Sequence, residues 1–370
     1  MRTLLVGMVL VLANAGSHAQ QYQFYAGNLH AHTLYSDGHT DGGVRSAKTP
    51  ELAYKFAKES EHMDFLGISE HNHKAAKMKL ANYAKGISEA DKINSSKLVC
   101  LYGMEYGVIS HGGHTLIYGI DKLIGWDKDN YDIKCPKSDY NALWDIVVDY
   151  PEAFVTLAHP KNGDFSNLLN SPYSKLADKA ISGCAILTGP AFAKNINYKS
   201  KPSGTFVGYF QGLLALGYHL GPTVDHDNHY MTYGRMASSR TMILAEKLDR
   251  ESVMKAFRDM RFYATTDWNV QVSFVINKLP MGSLINTKNP AAITVDVSDT
   301  DPGDDTSTIK VMYGVPGSKK PATMLTSVKG NKLSFVHDLP KGNEFYYYLD
   351  ITQADRDRIY TSPIWVHRLK

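Results

Sequence analysis

The chain has 370 residues, which is more than one average domain and fewer than three, and 43% of them are hydrophobic, enough for a sizeable core. Its 40 basic residues nearly balance 37 acidic ones, and the formal net charge is +3. This balance argues against a protein that grips nucleic acid through bulk charge, so nucleic acid is not an expected partner, although a local basic patch stays open.

The first nineteen residues have the pattern of a secretory signal. Met1 and Arg2 give a short positive end, "LLVGMVLVLANA" is an apolar run of about a dozen residues, and Ser17 to Ala19 are small or polar residues of a cleavage site. Cleavage after Ala19 would release a periplasmic or extracellular protein, and an uncleaved anchor is the alternative. Because no later run of ~18 apolar residues exists, we predict no transmembrane span.

Between residues 22 and 268, short apolar runs alternate with helical patterns. The runs predicted as buried strands are 64–69, 98–103, 115–120, 153–158, 183–188 and 221–224. The segments predicted as helices are 51–63, 140–150, 204–218 and 249–260, the first after Thr49 and Pro50 and the last with Asp249 as its N-cap. Such alternation predicts a mainly parallel sheet covered by helices, and about seven units predict a closed α/β barrel.

After Asn269 the hydrophobic pattern changes to a period of two. Five alternating segments are separated by Gly, Pro, Asn and Asp turns, with no helical pattern between them. These features predict an antiparallel β-sandwich of about one hundred residues. The predicted organisation is therefore a signal peptide at 1–19, a barrel domain at 20–269 and a small all-β accessory domain at 270–370.

Ionisable residues cluster where the predicted strands of the first domain end. Those at or just past a strand end are His30, His32, Asp37, Glu70, His71, Glu105, His159, Asp225, Asp227 and His229. His114 is the exception, because it stands at the start of its strand. Binding sites form where the carboxyl ends of parallel strands meet the following loops. We therefore predict one metal centre at this edge of the sheet.

The residue types indicate which metals such a centre would bind. Imidazole nitrogen and carboxylate oxygen, without thiolate, suit Zn, Mn or Fe. The candidate ligands are too many for one ion and predict two or three divalent ions with a bridging carboxylate. Three such ions outweigh three carboxylates, so the pocket would stay positive, attract an anion and lower the pKa of bound water towards ~7. A small phosphorylated substrate satisfies both properties.

Six stretches, read together, resemble the polymerase and histidinol phosphatase (PHP) family of metal-dependent phosphoesterases. They are "HAH…D", "SEHN", "GMEY", "GGHTLIYG", "LAHP" and "HDNH", and they span residues 28 to 229. The resemblance implies a distorted (β/α)7 barrel with up to three metal ions at one mouth. It also implies a hydrolase that cleaves a phosphate monoester or diester with a hydroxide bridging two ions, and the signal segment at 1–19 would make this hydrolase a secreted one.

The resemblance further implies a role for each matching residue. One ion would be held by His30, His32, Glu105 and Asp227. A second ion would share Glu105 and add His114 and His159. A third would use Asp37, His71 and His229. Glu105 and Asp227 are the implied catalytic residues among these ligands.

Some assignments stay open in the sequence. In "VDHDNHY", the pair Asp225 and Asp227 competes with the pair Asp227 and His229. We favour the second pair, because the histidine completes a set of neutral nitrogen ligands, and Asp225 would then orient a ligand histidine. Glu70 stands beside a ligand and could act in the same way or lie in an exposed loop.

Residues that could contact the substrate are less clearly marked. Lys161 could reach a phosphate oxygen or remain a solvated loop lysine, and the same choice applies to Arg235 and Arg240. Tyr35 and Tyr230 flank ligand runs and could line the pocket. Two other functions compete with the phosphoesterase: a metal-dependent nuclease, and a non-catalytic binding protein on a degraded barrel. The oligomeric state stays open.

Overall fold

The computed structural model of the chain describes residues 22–40, 48–302 and 307–370. The predicted signal peptide at 1–19 lies outside these residues. Within the described ranges, no helix is both long and apolar enough to cross a bilayer.

The helices are short, and several begin at the caps that the sequence predicts. They are α1 (Pro50–Ala57), α2 (Leu80–Ile93), α3 (Tyr140–Val148), α4 (Asp164–Asn167), α5 (Lys175–Ala180), α6 (Val207–Leu216) and α7 (Arg250–Arg258). The Thr49 side chain accepts a hydrogen bond from the amide of Leu52 at 3.3 Å, and Asp249 accepts one from Ser252 at 2.8 Å. Both caps satisfy amides of the first turn that have no partner inside the helix, so these two predictions are confirmed.

The strands dominate the fold. Those of the first part are β1 (Gln23–Asn28), β2 (Phe65–His71), β3 (Val99–Val108), β4 (Gly113–Tyr118), β5 (Ile124–Gly125), β6 (Ile133–Lys134), β7 (Phe154–Ala158), β8 (Ile181–Thr188), β9 (Gly204–Thr205), β10 (Gly221–Asp225), β11 (Arg240–Ala245) and β12 (Phe262–Thr265). Those of the second part are β13 (Gln271–Ile276), β14 (Leu279–Pro280), β15 (Leu284–Thr287), β16 (Ala291–Ser298), β17 (Thr308–Gly314), β18 (Thr323–Lys329), β19 (Lys332–His337), β20 (Glu344–Thr352), β21 (Arg358–Thr361) and β22 (Ile364–Arg368).

Most of these strands belong to one mixed sheet of 16 strands. Its main path runs β10-β8-β7-β4-β3-β2-β1-β11-β12-β21-β20-β17-β18. Along this path β1, β2 and β3 pair in parallel, as do β7, β8 and β10. β4 is antiparallel to both β3 and β7, and β11 is antiparallel to β1. The carboxyl ends of six strands and the amino end of β4 therefore lie at the same edge.

The predicted distorted (β/α)7 barrel is wrong. The fold is mostly β, and its large sheet is mixed and does not close. Two reversed strands break the expected alternation, since a hairpin rather than a helix joins β3 to β4, and β11 runs against both of its neighbours, β1 and β12. The sheet then continues beyond β12 instead of closing, because Tyr263 pairs with Thr361 of β21.

Side chains, rather than a backbone ladder, connect β10 to the strands across the opening of the sheet. The side-chain Nδ2 of Asn28 donates to the carbonyl of Val224 at 3.0 Å, and Thr241 Oγ1 accepts from the backbone amide of Val224 at 2.9 Å. Just beyond the strand ends, the His32 amide donates to the carbonyl of Asn228 at 2.8 Å. The loops that follow β1 and β10 are consequently held beside each other.

The strands after Asn269 share both a sheet and a core with the first part of the chain. A second sheet, β14-β13-β16-β19, faces the continuation of the large one. In β16, buried and more exposed residues alternate along the strand, which is the period of two read from the sequence. One apolar cluster joins Met242 and Tyr263 to Phe274, Val295 and Tyr347. The division at residue 269 stays a prediction, because the backbone pairing runs across it.

We expect the two parts to unfold together. A chain that ends at Asn269 should lose cooperative folding. The truncation removes β21, the partner of β12, and exposes the apolar face around Met242 and Tyr263. Circular dichroism during heating would test this, with the intact chain expected to melt in a single transition. A truncated chain that stays soluble and melts as sharply as the intact one would contradict it.

Candidate metal centre

The strand directions explain why the candidate ligands share one edge. Glu105 of β3 pairs with His71, the last residue of β2, in the parallel register. His114, the second residue of β4, pairs with Gly107 of β3 and with Ala158, the last residue of β7. Because β4 runs in the opposite direction, a residue at its start reaches the edge where its neighbours end. The apparent exception in the sequence therefore belongs to the same site.

All nine predicted metal ligands come together there. The chain has buried groups of histidine, glutamate and aspartate that could hold a metal ion, with ligand atoms within 4.8 Å of one another in each group. The four groups are His32, Asp37, His71 and His229; His30, His32 and Asp227; His30, Glu105 and His159; and His71, Glu105 and His114.

The carboxylate of Glu105 is the centre of the cluster, and its side chain is 1% exposed. Its Oε1 atom lies 2.9 Å from His114 Nδ1, 3.1 Å from His30 Nε2 and 3.2 Å from His159 Nε2. Its Oε2 atom lies 3.1 Å from His71 Nδ1 and 3.3 Å from His32 Nε2. The two oxygens thus face different histidines.

Two aspartates complete the cluster at its outer side. Asp227 Oδ1 lies 3.1 Å from His30 Nε2 and 3.2 Å from His32 Nε2. Asp37 Oδ2 lies 3.4 Å from His71 Nε2, and Asp37 Oδ1 lies 3.5 Å from His229 Nε2. Asp37 has a side chain 31% exposed, so this end of the cluster opens to solvent. The cluster is therefore reachable from solvent at this end.

Several polar atoms of the cluster are buried without a hydrogen-bond partner. His30 Nε2, both ring nitrogens of His32, His71 Nδ1 and Asp37 Oδ1 are buried and make no hydrogen bond, although carboxylate oxygens or imidazole nitrogens lie close by. Buried polar atoms without partners are costly. A cation between them would satisfy these atoms together, so the residues present could hold a metal ion.

The pKa values of the cluster also indicate a need for positive charge among its carboxylates. Burial by itself would raise the pKa of Glu105, but His114 and His30 hold it well below its ordinary value. Burial opposes the charge of His32, yet the neighbouring carboxylates of Asp227 and Glu105 raise its pKa to about 10. Buried carboxylates this close together require positive charge, which imidazolium groups or bound cations can supply.

Asp225 and Glu70 support the ligands without being among the metal groups. Asp225 is fully buried, and its Oδ2 atom lies 3.2 Å from His30 Nδ1, the nitrogen that faces away from Glu105. Glu70 is also fully buried and accepts hydrogen bonds from the Thr33 amide and from the hydroxyls of Thr33 and Ser36. It therefore holds the loop that carries His32 and presents Asp37.

Of the three basic residues named from the sequence, Arg235 and Arg240 make their hydrogen bonds to residues outside the cluster. Lys161 is exposed, and its amide donates to Asp164 Oδ2 at 2.7 Å. Arg240 is fully buried and donates to the carbonyls of Ala237 and Gly234, each at 2.7 Å. Arg235 donates to Ser60 and stacks on a phenylalanine ring. The two arginines therefore act in packing.

The two tyrosines named from the sequence have different positions. Tyr35 is buried, and its hydroxyl donates to Glu89 at 2.6 Å, so it does not line the pocket. Tyr230 is only partly buried and lies beside the exposed ring of His39.

Sequence reasoning missed the residues that join the two halves of the site. The side-chain oxygen of Asn28, Oδ1, accepts hydrogen bonds from the backbone amide of His30 at 2.9 Å and from that of His226 at 3.4 Å. It thereby ties the loop after β1 to the loop after β10. Its position directly before the "LHAH" stretch was the available signal. Phe192, whose ring contacts that of His229 at 4.7 Å between centroids, had no signal in its local sequence.

Comparison with known proteins assigns no activity. No family model matches the chain. The chain is 27% identical over 183 residues to an uncharacterized protein of Chlamydia pneumoniae, a match that covers 45% of this chain and 29% of that protein. An uncharacterized protein of Chlamydia trachomatis is 24% identical over 194 residues, with the same shares covered. The chain therefore spans less than a third of the length of these relatives.

A crystal structure of an engineered protein resembles the chain only weakly. The match covers 82% of this chain and 49% of that protein, at 11% sequence identity and a TM-score of 0.21. A likeness at this level carries no argument about fold or function.

We expect Asp225→Asn to weaken metal binding about 10- to 100-fold, because the carboxylate that orients a ligand histidine contributes this much to affinity. Competition with a chelating dye would measure the dissociation constant. Asp178→Asn is the matched control, since Asp178 Oδ2 contacts His219 Nδ1 at 2.9 Å outside the four metal groups. Equal losses in the two variants, or none in Asp225→Asn, would contradict the assigned role.

Proposed function

We propose that the chain is a metal-dependent hydrolase of small phosphate esters, whose ligand order is that of the PHP phosphoesterases. One observation carries the proposal: nine histidine, aspartate and glutamate side chains from six separate segments form one cluster, with the buried carboxylate of Glu105 at its centre. Structural needs do not require such a cluster, because burying it costs free energy that an apolar core would not. The proposal concerns the ligand set and its chemistry and does not include the barrel of that family.

Different side chains of the cluster would have different roles in holding the ions. Glu105 presents its two oxygens to different histidines and so would bridge neighbouring ions, while Asp227 faces His30 and His32 together. Asp225 contacts Nδ1 of His30, which leaves Nε2 directed at Glu105 and Asp227. Two or three bound divalent ions would lower the pKa of water towards ~7 and offset charge on phosphoryl oxygens.

Charge balance supports a phosphate ester as the substrate. The metal groups contain three carboxylates, those of Asp37, Glu105 and Asp227, and six histidines, which are uncharged when they bind a metal ion. Two ions would leave the groups with a net charge of about +1 and three with about +3, since each ion carries two positive charges. A positive pocket partly shielded from water attracts and holds an anion. The signal-like segment at 1–19 supports action outside the cytoplasm.

The test is hydrolysis of p-nitrophenyl phosphate and bis-p-nitrophenyl phosphate by the mature chain, with bound metal measured on the same sample. We expect His30→Ala to lower kcat/KM at least about 100-fold, because electrostatic stabilisation by the ions is worth several kcal/mol. His367→Ala is the control, since that histidine lies in β22 and contacts Asn286 outside the metal groups. Full turnover by chelator-treated, metal-free protein would refute the proposal.

A further inference from the structure

Three aromatic side chains, His39, Phe192 and Tyr230, form an aromatic rim beside the metal groups. The Phe192 ring lies 4.7 Å from that of His229 and 5.4 Å from that of His39, between centroids. The His39 ring lies 5.4 Å from that of Tyr230. Because His229 also faces Asp37, this rim borders the same open end of the cluster through which a substrate would approach.

The backbone holds the rim in place. The His229 amide donates to the carbonyl of Ala191 at 3.1 Å, and the Thr232 hydroxyl donates to the carbonyl of Ala193 at 3.4 Å. These bonds fix the residues on both sides of Phe192. On the opposite side, the His39 amide donates to the carbonyl of His229 at 2.6 Å. The position of Phe192 is thus set by the loop that carries a metal ligand.

Phe192 is nevertheless left open to solvent. Its side chain is 59% exposed, whereas Phe165 and Phe210 are almost fully buried. Burial of a phenylalanine is favourable, so an anchored ring that stays exposed gives up stabilisation that the fold could have gained. Aromatic side chains placed next to a few polar groups are characteristic of small-molecule sites. The free face of Phe192 is therefore available for a planar group of a ligand.

A positive charge accompanies the rim. The Lys194 ammonium lies 4.8 Å from the centroid of the Tyr230 ring, within the range of a cation–π contact. It stands two residues from Phe192 on the same anchored segment and is exposed. The entrance therefore combines apolar planar surface with positive charge, which suits an anion that also carries an aromatic group.

We propose that the aromatic rim selects phosphate esters that carry a nucleobase, so that nucleotides are the substrate class. This inference rests on the proposed phosphoesterase function. The base would stack on Phe192 while the phosphate reaches the metal groups. His229 contacts Phe192 with its ring and Asp37 with Nε2, so the two binding regions are about one ring width apart. The sugar of a nucleotide spans such a gap between base and phosphate.

The experiment compares adenosine 5′-monophosphate with ribose 5-phosphate, which has the same ester but no base. Binding is measured by calorimetry on manganese-loaded protein, with analogues in which a methylene group replaces the ester oxygen and prevents hydrolysis. Turnover of the two natural esters is measured in parallel. We expect the adenosine analogue to bind about 10-fold more tightly than the ribose analogue, since one base–aromatic stack is worth this much.

Phe192→Ala should remove this preference and leave binding of the ribose analogue within about two-fold. Phe192→Tyr should retain the preference, because it keeps the aromatic face. Ile196→Ala is the matched control, since it removes another exposed apolar side chain from the same segment and should also retain the preference.

The outcomes separate this inference from the proposed function. Equal affinity for the two analogues, no binding of the adenosine analogue, or an unchanged preference in Phe192→Ala would overturn the rim as a base site, whatever the turnover. Base-dependent binding that Phe192→Ala removes, without turnover of either ester, would support the rim and refute the phosphoesterase. Turnover of both esters at equal rates, unaffected by Phe192→Ala, would support the phosphoesterase and overturn the nucleotide preference.

Discussion

The burial of one carboxylate, that of Glu105, is the constraint on which the site depends. A carboxylate removed from water loses several kcal/mol of solvation and must recover it from nearby positive charge. Five histidines lie within about 3.3 Å of its two oxygens, and Asp227 and Asp37 add further negative charge around the same imidazoles. The cluster is therefore stable only when protons or cations balance its charge, so the centre could hold a metal ion.

The mixed direction of the sheet is what completes this ligand set. β4 runs against its two neighbours, and so His114 reaches the same edge as residues at the ends of parallel strands. The tight β3–β4 connection needs glycine, because Gly113 has φ of +88° and a Cβ there would lie 2.7 Å from Asp164. The feature that prevents a regular alternating barrel is thus also the feature that supplies a ligand.

Because the sheet is open, side chains rather than backbone pairing hold β10 in position beside β1 and β11. No backbone ladder joins β10 to β11 among the described strands, so Asn28 and Thr241 bind the backbone of Val224 instead. These contacts keep Asp227 and His229 beside His30 and His32. Beyond β12 the sheet and one apolar core continue into the C-terminal strands, which therefore support the strands that carry the site.

The sequence by itself determined the candidate ligands and about half of the strands, and the tertiary structure decided how they are arranged. Ligand chemistry, strand-end position and the period-two pattern after Asn269 are local properties, readable from a few neighbouring residues. Strand direction and pairing depend on contacts far apart in the chain, which is why the barrel prediction failed. Phe192 lies nearly 40 residues before His229, and only the folded chain brings their rings together.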